Sequence, residues 1–153
     1  MTRFYEDLPE KLTELLWITI GNFDGLHLGH QALLSRLKAL AQAQGAQSGM
    51  LTFWPHPRVF FQGIDGPFYL TTKSEKQELL NHSNLDVVIT LEFNQAFADL
   101  SAEAFFDLLT SRINLQGLVV GENFALGKNR SGTLDVIQQI CAERGIQLEV
   151  FPP

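Results

Sequence analysis

Cysteine, positive charge and long apolar runs are scarce in this sequence. Its single cysteine, Cys141, cannot form an internal disulfide bond. The first residues, MTRFYEDLPEKL, are acidic and lack the apolar centre of a secretory signal, and no apolar run reaches the length of a membrane span. We therefore expect a cytoplasmic protein that does not act in a membrane.

The shortage of positive charge limits the classes of partner. The sequence has 11 Lys and Arg against 17 Asp and Glu, which gives a formal net charge of −6 and a pI near 5.1. Broad binding to nucleic acid or to an anionic membrane needs a positive surface field, so neither partner is expected. A small anionic ligand is still compatible with the sequence, because glycine amides and a helix N-terminus bind phosphate locally.

The composition and the apolar pattern predict one α/β domain over residues 1–153. Hydrophobic residues make up 45% of the chain and charged residues 18%, which suits a single buried core. Helical spacing is predicted over 30–45, after Thr72, after Ser101 and over 134–144. The alternation predicts a five-stranded parallel sheet with helices on both faces. The five apolar runs read as strands are LLWITI (15–20), GMLTF (49–53), DVVITL (86–91), GLVVG (117–121) and IQLEVF (146–151).

The unusual residues follow the predicted strands. The segment IGNFDGLHLGH (20–30) follows the first strand, WPHPR (54–58) follows the second, and ENFALGKNRSG (122–132) follows the fourth. Because ligands of open parallel sheets gather at the carboxyl ends of the strands, we expect these three segments to form the binding site.

Two nucleotide motifs are excluded by their spacing. Gly21, Gly25 and Gly29 do not fit GxGxxG, and no acidic residue ends the second strand where a ribose would need one. The segment GENFALGK resembles a P-loop, but five residues separate its two glycines, and Asn129 stands where Ser or Thr would bind magnesium.

Three interpretations of the first motif remain. His27 and His30 could hold a metal ion, with Asp24 or His56 as a third ligand. They could also be an ordinary surface or core pair at a helix start. The chemistry favours a phosphate cradle, because the glycines allow close backbone approach, the helix start offers free amides, and neutral imidazoles can donate N–H bonds to phosphate oxygens. No metal ligand set is therefore predicted.

Four segments in this order, IGNFDGLHLGH, LTFWPHPR, LTTKSEK and VVGENFALGKNRSG, resemble the FMN adenylyltransferase domain of prokaryotic bifunctional riboflavin kinase/FAD synthetases. The resemblance runs from about Trp17 to Phe151. It implies a Rossmann-like nucleotidylyltransferase fold and the conversion of FMN and ATP, with Mg²⁺, to FAD and pyrophosphate. It also implies catalysis by His27 and His30 and flavin binding by His56, Pro57 and Asn123. The residues implied for ATP are Gly21, Phe23, Asp24, Gly25, His27, Gly29 and His30.

The sequence departs from that family in two ways. The family continues into a Ser/Thr-rich loop that grips the ATP β- and γ-phosphates, and then into a riboflavin kinase domain, whereas this sequence stops at FPP. Ala125 and Leu126 stand where the family usually has Arg and Phe. We therefore expect a C-terminally incomplete adenylyltransferase domain without its kinase domain. The alternative is a nucleotide- or flavin-binding remnant without catalytic activity.

Overall fold

The protein folds around one six-stranded sheet in which every paired strand is parallel. The computed structural model describes residues 2–21, 28–54, 78, 80–122, 124 and 132–152, with only the backbone of Leu28 and Gly29. The spatial order of the strands is β1-β4-β3-β2-β5-β6. The strands are β1 (Arg3–Tyr5), β2 (Leu15–Ile20), β3 (Gln47–Trp54), β4 (Val87–Glu92), β5 (Asn114–Gly121) and β6 (Gln147–Phe151).

The predicted α/β class and parallel sheet are confirmed, but the predicted number of strands is wrong by one. The additional strand, β1, pairs with β4 at the edge of the sheet. The Arg3 N–H donates to the Asp86 carbonyl at 2.9 Å, and Thr2 Oγ1 donates to the Leu85 carbonyl at 2.6 Å. A strand of three half-buried residues carries too short a pattern to be identified from the sequence.

Helices cover both faces of the sheet, as predicted. They are α1 (Leu28–Ala43), α2 (Gln95–Ala98), α3 (Ala102–Arg112) and α4 (Leu134–Glu143), and Glu78, Leu80 and Asn81 are also helical. Ser101 caps α3, because its side chain accepts a hydrogen bond from the Ala104 N–H at 3.0 Å. Gly45 and Gly145 follow α1 and α4 with φ of 67° and 69°, a conformation that favours glycine. None of the helices in the described ranges is long and apolar enough to cross a membrane.

Two cores fill the spaces between these layers. On one face, α1 packs over Trp17, Met50 and Val119. On the other face, the side chains of α3 and α4 pack against the alternate strand positions, such as Ile18 and Leu118. The alternation follows from the strand geometry, which sends successive side chains to opposite faces.

An irregularity in the pairing of β2 with β5 brings an aromatic ring close to a glycine. The register shifts between Leu16 and Trp17, so that Leu16 pairs with Leu115 and Trp17 pairs with Gly117. A Cβ atom on Gly117 would lie 2.1 Å from Cδ2 and Cε2 of Trp17. The missing side chain therefore makes room for the indole on the α1 face.

Candidate active site

The candidate site lies where the order of the strands reverses. From β2 the chain builds outward through β3 and β4, and it then returns to the other side of β2 for β5 and β6. The carboxyl ends of β2 and β5 therefore border a crevice, which is where open α/β sheets bind ligands. Gly21 follows β2 and Gly121 ends β5, so that two residues without side chains border the crevice. The Gly21 N–H is held by the Leu51 carbonyl of β3 at 3.0 Å.

Helix α1 points its N-terminus toward the same end of the sheet. It begins at Leu28 after the first motif and runs back along β2, because β2 and β3 are parallel. Its first turn contains no acidic residue, so no side chain of that turn neutralises the positive end of the helix dipole. The N-terminus of a helix is a position that suits the binding of a phosphate group.

Polar contacts on both sides of α1 fix its position. The guanidinium of Arg36 donates two hydrogen bonds to the Glu149 carboxylate of β6, at 2.6 and 2.8 Å. These bonds lower the pKa of Glu149. Lys38 Nζ donates to the Ser83 carbonyl at 2.7 Å on the opposite flank. The Arg36 pair is partly exposed, so its contribution is mainly to orientation and only slightly to stability.

His30 is the predicted catalytic residue that the structure places. It lies in the first turn of α1, and the spacing i, i+3, i+4, i+7 puts it on the same helix face as Leu33, Leu34 and Leu37. Those leucines are buried against the sheet, so the imidazole is directed toward the sheet at its carboxyl end. His30 is half-buried and its Nδ1 atom is fully buried.

Thr19 is a polar residue in this region that the sequence reasoning missed. It lies near the end of β2 on the α1 face, is 0% exposed, and is paired in register with Met50 and Val119. Within the described part of the chain, its Oγ1 has no hydrogen-bond partner. A buried polar group without a partner costs about 1–3 kcal/mol. The available signal was a single hydroxyl in the otherwise apolar run LLWITI.

An aromatic cluster supports the carboxyl ends of β3 and β4 from the opposite face. The Phe53 ring packs on Phe93 and Phe97 with centroids 6.1 and 5.2 Å apart, and Phe97 continues the cluster to Phe105 at 5.4 Å. The Phe53–Phe93 and Phe97–Phe105 pairs are edge-on, an arrangement that the ring quadrupoles favour. The cluster anchors the short helix α2 beside the sheet.

Two open cavities among the described residues lie away from the crevice. One, of about 340 Å³, lies beyond β1 and β4 and is bordered by the acidic Glu6, Asp7 and Glu92. The other, of about 390 Å³, lies between α1 and Ser83. Neither is lined by Gly21, His30 or Gly121. The acidic border of the first is unsuitable for a phosphate chain.

Most of the residues predicted for the site lie outside the described ranges. Of the ATP set, the structure places Gly21, Gly29 as the second residue of α1, and His30. No group of three metal-ligating side chains occurs among the described residues, but this does not test the metal hypothesis. The predicted residues outside the described ranges are Phe23, Asp24, Gly25, His27, His56, Pro57 and Asn123.

Comparison with known proteins identifies the family. A family model described as FAD synthetase matches residues 10–153. The chain belongs to the FAD synthetase family. This member is 33% identical over 124 residues to the bifunctional riboflavin kinase/FMN adenylyltransferase of Buchnera aphidicola subsp. Schizaphis graminum, covering 80% of the chain and 40% of the relative. It is 34% identical over 149 residues to the Escherichia coli K12 protein of the same name, covering 97% and 48%. The chain thus spans less than half the length of these relatives.

Solved structures share the fold of this FAD synthetase family member. A macrolide-efflux protein from Streptococcus pneumoniae matches with a TM-score of 0.81 at 19% identity, over 100% of this chain and 52% of that chain. A pantoate-beta-alanine ligase from Francisella tularensis matches with a TM-score of 0.59 at 12% identity, over 99% and 67%. At these identities, the likeness concerns the fold alone.

Proposed function

We propose that this chain is an FMN adenylyltransferase domain, which transfers AMP from ATP to FMN and releases FAD and pyrophosphate. The observation that carries the proposal is the position of the first motif in a FAD synthetase family member. The motif joins β2 to the N-terminus of α1 at the point where the strand order reverses. That position combines a helix N-terminus with glycine backbone, which suits a nucleotide phosphate chain.

In the proposed reaction, a phosphate oxygen of FMN attacks the α-phosphorus of ATP. The new P–O bond forms as the bond to the β-phosphate oxygen breaks, and pyrophosphate leaves without a covalent enzyme intermediate. The protein contributes positioning and electrostatic stabilisation. The amides at the start of α1 bind phosphate, and His27 and His30 donate N–H bonds to the oxygens of the α-phosphate during transfer.

The remaining binding roles follow the resemblance to the family. Gly21, Phe23, Asp24, Gly25 and Gly29 complete the ATP side of the site. His56 and Pro57 lie near the reacting phosphates and Asn123 contacts the flavin in this proposal.

We also propose that Mg²⁺ enters with ATP. The described residues contain no cluster of acidic and histidine side chains that could hold a metal ion. Magnesium often binds through substrate phosphates with only one or two protein carboxylates, which suits a metal carried by the nucleotide. Bound there, Mg²⁺ would neutralise phosphate charge, and no residue of the chain is assigned to it.

The proposed setting is the cytoplasm, with ATP and FMN as the ligands and with neither nucleic acid nor membrane as a partner. The relatives carry a riboflavin kinase activity in their names, and a kinase domain in the same polypeptide is the proposed source of FMN. Nothing in the fold described here is assigned to the kinase reaction.

The proposal is tested by incubating the purified chain with FMN, ATP and MgCl₂ and separating the products by chromatography. We expect FAD and pyrophosphate in equal amounts, and no FAD when ATP is omitted. If the reading frame continues past Pro153, the longer protein is assayed in parallel. Saturable binding of FMN or ATP without FAD formation by either protein would favour the binding remnant instead.

A further inference from the structure

The hydroxyl of Thr19 occupies a position in which an aliphatic side chain would pack equally well. Thr19 and valine have nearly the same shape, and the register neighbours Met50 and Val119 are apolar and buried. In the described structure, the Oγ1 atom gains no hydrogen bond in return for its complete loss of water. Such a group in a native core calls for an explanation.

The location of Thr19 supplies an explanation for its buried hydroxyl. It lies two residues before Gly21, on the face of β2 that α1 covers. Because α1 runs back along β2, its first turn lies over the carboxyl end of that strand. The helix face directed at this end contains His30, whose Nδ1 is buried. Thr19 from the strand and His30 from the helix therefore belong to the same interface.

We propose that Thr19 is a positioning residue for His30, an inference that rests on the proposed function. When nucleotide occupies the site, the Thr19 hydroxyl donates a hydrogen bond to Nδ1 of His30. A neutral imidazole that accepts at Nδ1 carries its proton at Nε2. The bond thus holds the ring in the tautomer that donates an N–H to phosphate, and Thr19 itself touches neither substrate.

Two substitutions separate the hydroxyl from the shape of the side chain. Thr19→Val keeps the shape and removes the hydroxyl, whereas Thr19→Ser keeps the hydroxyl and removes a methyl group. If Thr19 positions His30, the variant that keeps the hydroxyl, Thr19→Ser, retains activity. The variant that keeps the methyl groups, Thr19→Val, retains thermal stability. If Thr19 had only a structural role, the variant with the lower melting temperature would also be the less active one.

Thr2→Val is the matched control. Thr2 is also a buried threonine, but its hydroxyl donates to the Leu85 carbonyl at 2.6 Å, and it lies at the β1 edge of the sheet. We expect this variant to lose thermal stability and to keep its turnover number, because β1 is separated from β2 by two intervening strands.

The experiment measures melting temperature and FAD synthesis kinetics for the four proteins. We expect Thr19→Val to melt at or above the wild-type temperature while kcat falls by about tenfold or more and KM for FMN changes less than about twofold. Thr19→Ser is expected to melt lower and to keep kcat within about threefold. Wild-type kcat in Thr19→Val would overturn the proposal, whereas absence of FAD in the wild-type protein would count against the proposed function instead.

A second measurement reads the imidazole directly and does not depend on turnover. Nitrogen NMR of histidine-labelled protein, with a non-hydrolysable ATP analogue, reports which ring nitrogen of His30 carries the proton. A His30→Gln variant assigns the signal. We expect a fixed Nε2–H tautomer in the wild-type complex and a tautomer mixture in Thr19→Val. The same tautomer in both, or no effect of the analogue on His30, would overturn the proposal.

Discussion

Gly117 shows how a single residue sets the packing of the two central strands. Its hydrogen atom faces the Trp17 ring, and any Cβ there would lie 2.1 Å from the nearest ring atoms. We expect Gly117→Ala to lower the free energy of unfolding by about 3 kcal/mol, because the buried indole and β5 would both have to shift. Denaturant unfolding measures the loss.

Gly121→Ala is the control for this substitution. Gly121 lies in the same strand and, unlike Gly117, has no atom of the described residues within 4 Å of an added Cβ. Its unfolding midpoint is expected to stay close to the wild-type value. Equal losses in the two variants would show that the Trp17 contact does not determine the effect.

His30 is expected to contribute to turnover more than to FMN binding. Loss of a preorganised N–H donor at a developing phosphate charge lowers turnover by about 10² to 10³-fold. We expect His30→Ala to lower kcat by that amount while FMN affinity, measured by flavin fluorescence, changes much less. The exposed His82 serves as the control, and His82→Ala is expected to behave as the wild type. A loss of FMN affinity as large as the loss of turnover would contradict the proposed role.

The candidate site was predicted from the sequence more by its motifs than by the chemistry of single residues. Gly21 and His30 were predicted because glycine and histidine stand out after an apolar strand, and the structure places both at the carboxyl end of the sheet. Thr19 was missed because threonine is common in strands. Its hydroxyl is fully buried and has no hydrogen-bond partner among the residues that the structure describes, and only the tertiary structure reveals this.

At the scale of secondary-structure elements, α3 and α4 offer a direct comparison of helix caps. The Ser101 side chain accepts a hydrogen bond from Ala104, whereas Thr133 occupies the N-cap of α4 without a side-chain bond. We expect Ser101→Ala to lower the free energy of unfolding by about 1 kcal/mol, as is typical for a lost cap. Thermal or urea denaturation measures it. Thr133→Ala should lose clearly less, and the reverse order would contradict the assignment of the caps.

Element prediction succeeded where the pattern was long. Helical spacing predicted helices over 30–45 and over 134–144, and the structure has α1 and α4 there, followed by Gly45 and Gly145 at positive φ. The four-residue helix α2 and the strand β1 were not predicted. Each is too short for a periodic signal, and each depends on contacts with distant residues, such as Phe53 for α2 and β4 for β1.

At the scale of the whole molecule, the reactivity of Cys141 is a measure of how closely α4 packs on the sheet. Its thiol is 1% exposed in the core between α4 and the sheet, and burial raises its pKa from 9.0 to about 11. The folded state therefore holds the thiol proton more tightly than the unfolded state. This contribution to stability is complete below about pH 9 and is lost as the pH rises toward about 11.

We accordingly expect native protein at pH 8 to react with a thiol reagent only as fast as it unfolds, so that sub-denaturing urea accelerates labelling in step with global opening. Between pH 9 and 11 the wild type is expected to lose more stability than Cys141→Ala, which has no thiol to ionise. Rapid labelling of the native protein without urea would show that α4 opens independently of the rest of the fold.

The central position of β2 also has a consequence for synthesis on the ribosome. Residues 15–20 form the middle of the finished sheet, yet β5, which covers one of the two edges of β2, is not translated until residues 114–121. At translation rates of about 5–20 residues per second, that edge of β2 waits for roughly 5–20 seconds. An apolar strand with an unpaired edge is a template for aggregation during that interval. The nascent chain thus exposes an unpaired edge of the strand that precedes the first motif, so lower growth temperatures and a larger chaperone supply are expected to raise the soluble yield.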